Sequence, residues 1–261
     1  MDFWHPGIAC RIMGKRRKLT GLEESFVKHG IDDLSNTQVV ELIISRMVNR
    51  NSCNKIVAEV DSRYKTLREL ITAPLEELRS IPGMTEQCIV LIKMIREIPS
   101  RYLKEKIIQK PFYASSQEIC DYLYYSMRDL KKEIFRIIYL NNQSQIIDTE
   151  VLFEGTLNEI HIYPREIQER AIKHNAHHLI YVHNHPSGDP APSHNDEKIT
   201  RDMVFIGKIL QISVLDHIII GENRYFSFSS AGLIEKYEDE FLNLRLKMDV
   251  KRGFSPKTMY I

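Results

Sequence analysis

Paired cysteines are missing from this chain: Cys10, Cys53, Cys88 and Cys120 are far apart and no C-x-x-C occurs. That excludes a cysteine-clipped zinc site and a dithiol redox cycle, and the thiols read as reduced ones in a cytosol. Long apolar runs are missing too, since none approaches the ~18 residues of a membrane span. The stretch from Met1 to Cys10 lacks the charged-then-apolar order of a secretory signal. The expectation is a soluble, cytoplasmic protein with no membrane partner. Several catalytic signatures are also absent. No H-E-x-x-H occurs, as a zincin would need, and no H-x-E followed by P-C-x-x-C, as a nucleobase deaminase would need. The tripeptide His183-Asn184-His185 does not make a homing-type nuclease, whose residues are dispersed over a ββα unit. There is no internal repeat and no low-complexity segment.

What is present is ordinary for a folded protein. The 261 residues are 43% apolar and 27% charged, near the averages of globular chains and enough for one large domain or two small ones. The net charge of +1 hides a split. Residues 1–110 hold 19 Lys/Arg against 14 Asp/Glu, and residues 111–261 hold 17 against 21. The run Lys15, Arg16, Arg17, Lys18 supplies most of the first excess and reads as a solvated arm, with phosphate contact the other reading.

Residues 1–110 read as a helical domain. Leu42, Ile43, Met47, then Leu67, Leu70, Ile71, then Leu75, Leu78 recur every three or four residues, which places them on one stripe of each helix. A Pro82-Gly83 turn separates two of these helices, with Thr85 a cap for a helix through Ile95, so the segment reads as one helix-hairpin-helix. Thr85 stands where such a turn has a second glycine, which restricts backbone approach to a phosphate. A linker is expected from Ile98 to Pro111.

From Ser115 strands appear. A helix from Ser115 or Ser116 to about Leu130 precedes a hairpin of Ile134–Leu140 and Gln145–Phe153. A helix opened by Pro164 runs to about Asn175, followed by a strand His178–Val182 and a helix from Asp196 to about Leu210. Strands Ser213–Ile220 and Tyr225–Phe228 and a helix from Ser230 to about Leu244 complete this domain, 111–246. Residues 247–261 form a basic tail. Strands and helices of this kind make an α/β sandwich with largely antiparallel strands.

The chemistry lies where the strand ends. His183 and His185 are two apart, so their imidazoles project from one side and can hold one ion. Seven residues, three of them proline, lead to Ser193, which can cap the next helix while Asp196 falls in its first turn. Two imidazoles and a returning carboxylate are ligands of the kind Zn²⁺ takes in catalytic sites, the fourth position being left to water. Hydrolysis of an amide also needs a base. Glu133, just ahead of the Ile134 strand, is the best placed, but spacing alone does not select it from Glu150, Glu154 or Glu159. His174, His177, His178 and His194 read as surface residues, and His217 as a hydrogen-bonded core residue of its strand.

His-x-His, seven residues, Ser, two residues, Asp, with an upstream Glu opening a strand, resembles the metal motif of the JAMM (MPN+) metalloproteases. Gly155-Thr156-Leu157, Tyr163-Pro164-Arg165-Glu166-Ile167, His183 to Pro190 and Leu215-Asp216-His217-Ile218 look like the bacterial RadC family. The resemblance implies an α/β (α+β) chain: a small helix-hairpin-helix domain, then a mixed, mainly antiparallel sheet flanked by helices, cytidine-deaminase-like. It also implies that His183, His185 and Asp196 ligate Zn²⁺, that Glu133 is the acid/base and that Ser193 helps hold a developing oxyanion. The function it implies is a zinc-dependent metallopeptidase-type hydrolase acting on an unidentified protein or peptide. The competing reading is a DNA-associated repair accessory protein, binding weakly through its N-terminal helical region, whose metal domain is not an active peptidase. A net excess of five positive charges over 110 residues is modest for a dedicated DNA binder.

Overall fold

The structure is a computed structural model that describes residues 19–112, 116–155 and 164–251. The chain forms two compact units, divided between Arg96 and Glu97.

The first unit is helical: α1 (Gly21–His29), α2 (Asn36–Ile44), α3 (Arg50–Arg63), α4 (Leu67–Thr72), α5 (Leu75–Arg79) and the first half of α6 (Glu86–Ile107). Its starts are written in capping residues. Thr20 and Ser35 each close a capping box with Glu23 and Gln38, and Asn49 and Thr66 cap α3 and α4. Thr85 accepts the Cys88 N–H at the head of α6. Gly83, at φ +82°, makes the turn between α5 and α6. The stripes close on Val40, Ile44, Ile56, Val60, Leu70, Leu78, Ile81 and Ile92, each such residue contributing about 1.5–3 kcal/mol on full burial.

Two boundaries differ from the sequence reading. The stretch expected as a linker is helical to Ile107, with Pro99 inside α6. A proline removes one backbone donor and crowds the carbonyl four residues earlier, but apolar residues on either side carry the helix on: Ile92 is fully buried before it and Ile107 after it. The closing helix, α10 (Leu233–Lys251), likewise runs beyond residue 246. Lys15 to Lys18, Glu159 and most of the basic tail lie outside the described residues.

The second unit carries the sheet. After α7 (Ser116–Met127) come β1 (Ile134–Leu140), β2 (Ile146–Glu154), α8 (Pro164–Lys173), β3 (His178–Asn184), α9 (His194–Leu210), β4 (Ser213–Ile220) and β5 (Tyr225–Ser227). The strand order is β2-β1-β3-β4-β5, antiparallel except for the β3–β4 pair. That parallel pair requires a crossover, supplied by α9. Alternate residues of β1 and β3 serve two cores. Phe135, Ile137, Tyr139, Leu179 and Tyr181 pack with α8, α9 and α10. Ile138, Leu140, Ile180 and Val182 pack with Ile107 and the α7 residues Ile119, Tyr122, Leu123 and Met127. Strands covered on both faces are apolar almost throughout, so the polar residues that end β3 stand out against their own strand.

Candidate metal centre

β3 changes character at its last two residues. His183 is fully buried, on the face of Phe135, whose ring stacks at 6.3 Å. His185 follows the strand and its N–H bonds to the Ile220 carbonyl at 2.9 Å, so the parallel ladder still holds it. The proline-rich loop then packs on the β4–β5 turn. Glu222 N–H donates to the Gly188 carbonyl at 3.0 Å, and Arg224 pairs with Asp189 at 3.1 Å. Gly221 makes this approach possible, because a Cβ there would lie 2.4 Å from the Gly188 oxygen and 2.8 Å from Pro190 Cδ. The loop delivers Ser193 as the cap of α9, with Asp196 as the reciprocal member of its capping box.

Four side chains thereby converge. His183 Nε2 is 3.0 Å from His185 Nε2 and 3.3 Å from Asp196 Oδ1, and His185 Nε2 is 3.6 Å from Asp196 Oδ2. Glu133 Oε1 is 3.9 Å from His183 Nε2. Ligands 2.0–2.2 Å from a tetrahedral zinc are ~3.3 Å apart, close to the first three separations. Among the described residues, Glu133, His183 and His185 bring three ligand atoms within 4.8 Å of one another, a group that could hold a metal ion.

The hydrogen bonds fix which nitrogens are bare. Thr200 Oγ1 is 2.6 Å from the Asp196 carbonyl, which can only accept, so the hydroxyl proton lies there. Thr200 Oγ1 must then accept from His217 Nδ1, also 2.6 Å away. His217 Nε2 is left as an acceptor, and the proton in its 2.8 Å contact with His183 comes from His183 Nδ1. His183 Nε2 consequently points a lone pair into the site. His185 Nδ1 donates to the Asp189 carbonyl at 2.7 Å, so its Nε2 is likewise bare when neutral. Two lone pairs face each other at 3.0 Å beside Asp196 Oδ1, a buried carboxylate oxygen with no hydrogen bond. A cation placed between these atoms would satisfy all three at once. The residues present fit a divalent metal ion.

The electrostatics agree. Burial, reinforced by His217, holds His183 well below the ordinary imidazole value, and burial lowers His217 to about 4, so both stay neutral. The Asp196 carboxylate beside it raises His185, against burial. Burial works to raise Asp196, but the histidines and Ser193 override it and keep this carboxylate ionised. The pair therefore attracts a proton where a metal would otherwise sit.

Among the glutamates left open by spacing, Glu133 alone of the described ones reaches the site. Glu150 bonds Tyr139 and Arg170, and Glu154 pairs with Lys132 on the surface. Ser193 is at the mouth, its hydroxyl 2.6 Å from Asp196 Oδ2. His217 is the hydrogen-bonded core residue the sequence suggested. His177 and His194 are exposed, but His174 is half-buried because it stacks on Tyr139 at 4.2 Å, and His178 is half-buried at the start of β3. Thr200 and Gly221 escaped the sequence reading. Thr200 is four residues after Asp196, hence on the same helical face, which was a usable signal; nothing near Gly221 gave one.

Residues 113–233 match the family model described as the RadC-like JAB domain. A UPF0758 protein of Pseudoalteromonas translucida is 33% identical over 211 residues, 81% of this chain and 94% of the relative. UPF0758 proteins of Desulforamulus reducens and Trichlorobacter lovleyi are each 35% identical, over 81% of this chain and 93% of theirs.

Proposed function

The chain belongs to the RadC-like JAB domain family, and we propose that it is a zinc-dependent hydrolase that cleaves an amide or isopeptide bond of a protein or peptide. The observation that carries this reading is the convergence of two bare imidazole nitrogens on an orphaned, buried Asp196 oxygen, with Glu133 beside them. His183, His185 and Asp196 would hold the ion, and two imidazoles with one carboxylate are a donor set of catalytic zinc. A bound ion supplies Lewis-acid activation of water and of a carbonyl oxygen.

The protein's own groups supply the rest. Glu133, with its side chain only 13% exposed, takes a proton from the attacking water and returns it to the leaving amine. The His183–His217–Thr200 relay holds the His183 ring in the tautomer that ligates. Ser193, exposed at the mouth, turns its hydroxyl from Asp196 to the oxyanion as the substrate enters, a contribution of about 3 kcal/mol for one such donor.

The test is hydrolysis of quenched peptide and lysine-isopeptide libraries by zinc-loaded protein. Glu133→Gln is expected to keep its metal and lose about 10²–10⁴-fold in turnover. Undiminished hydrolysis by Glu133→Gln would overturn the assignment.

A further inference from the structure

We propose that Asn184, the residue between the two histidines, is the positioning residue for Glu133. The inference rests on the reading of Glu133 as the base. Because side chains alternate along a strand, Asn184 points to the face opposite His183. That face is covered, and Asn184 is 1% exposed. A buried carboxamide is costly unless its polar atoms are bonded, and those of Asn184 all turn to one segment. Its Oδ1 accepts the Ile134 N–H at 2.8 Å, and its Nδ2 donates to the carbonyls of Lys132 at 3.1 Å and Leu130 at 3.4 Å. One N–H and two carbonyls as partners leave no freedom to exchange the amide's oxygen and nitrogen.

The segment needs such a partner. The β1–β3 ladder ends at the pair Phe135–His183, so the backbone just before it has no strand opposite on that side. The Asn184 side chain takes the place of the missing strand and extends the pairing past Glu133. From the other side the Gly155 N–H donates to the Glu133 carbonyl at 2.8 Å. Glu133 is thus clamped between the ends of β2 and β3. The consequence is geometric: the residue that fixes the base is covalently flanked by His183 and His185, so ligands and base keep their register together. A base displaced by about 1 Å costs ~10²-fold in rate, which is the scale such a clamp protects.

The experiment needs no substrate. Full-length protein, with glutamate side-chain carboxyls labelled with ¹³C, is loaded with Co²⁺ as the probe. One carboxyl signal should be strongly broadened by the ion and should vanish in Glu133→Gln, which identifies it. In Asn184→Ala, Co²⁺ is expected to bind one per chain with its visible spectrum unmoved, while the Glu133 signal sharpens to resemble the other glutamates. In the metal-free variant the Ile134 amide should exchange about tenfold faster, as expected for one lost hydrogen bond, with the β1–β3 ladder amides unchanged. Should Asn184→Ala not fold, Asn184→Asp keeps the acceptor for Ile134 and removes both donors, and partial sharpening of the signal is expected. A Glu133 signal as broad as in the wild type, or an unchanged Ile134 exchange rate, would overturn the proposal. If the wild type binds no Co²⁺, the metal reading fails, and the Ile134 exchange measurement still decides whether Asn184 holds the segment.

Discussion

The helical unit and the sheet unit bury different kinds of residue. Among the described residues, Glu23 is the one buried charged or polar side chain of the first, whereas the second buries Thr149, Gln168, His183, Asn184, Asp196, Thr200, Asp216, His217 and Ser227. Most of these form one connected set: Asp196, Thr200, His217 and His183 in the relay, and Asp216 accepting from Ser227 Oγ and the Ser229 and His217 N–H groups; Asn184 bonds the backbone on either side of Glu133. Buried polar groups stabilise little for their desolvation cost. A unit that buries so many, most of them in one connected set, is organised around a site, while the other is organised around its core.

A pair of truncations separates the two units most clearly. His183→Ala should abolish metal binding and turnover together, because it removes a central ligand and leaves His217 Nε2 unpaired. Ile56→Ala, equally buried in the helical unit, should cost about 2–5 kcal/mol of stability and leave metal content unchanged; denaturant unfolding with elemental analysis reads both. Gly221→Ala comes next. Its Cβ would press on the Gly188 carbonyl, loosening the loop that orients His185, and a 10–100-fold loss of metal affinity is expected in competition with a chelating dye.

The pH dependence is smaller. A ligating His185 must be neutral, and Asp196 raises its proton affinity in the metal-free protein, so protons compete from a pH above the ordinary imidazole value. Apparent metal affinity should fall as pH falls through that range, by up to about tenfold per unit, and isothermal titration at three pH values measures it. An affinity flat with pH would mean that His185 is not a ligand. The smallest effect belongs to the helical unit: Ser35→Ala removes the α2 cap for about 1 kcal/mol, with no change at the metal. A cap mutation that altered metal content would break the division drawn between the units.

Much of this was legible in the sequence because local rules govern it. The apolar strand ending in His-x-His, the Ser193 cap and the Asp196 turn follow from periods of 2 and 3.6 and from capping chemistry. The continuation of α6 through Pro99 was not legible, because local proline rules oppose it and the apolar contacts of the residues around it decide it. The role of Asn184 was not legible, because its partners are backbone groups, which carry no mark in a sequence. Glu133 could be nominated but not chosen over Glu150 until the fold showed Glu150 engaged by Tyr139 and Arg170.

His183, His185 and Asp196 are proposed to hold one divalent ion between them. Elemental analysis of purified wild-type protein and of Asp196→Ala, each expressed with several divalent ions offered, addresses it directly. About one zinc per wild-type chain is expected, as three protein ligands would bind, and none in the variant. No metal in the wild type, or the same content in both proteins, would contradict it.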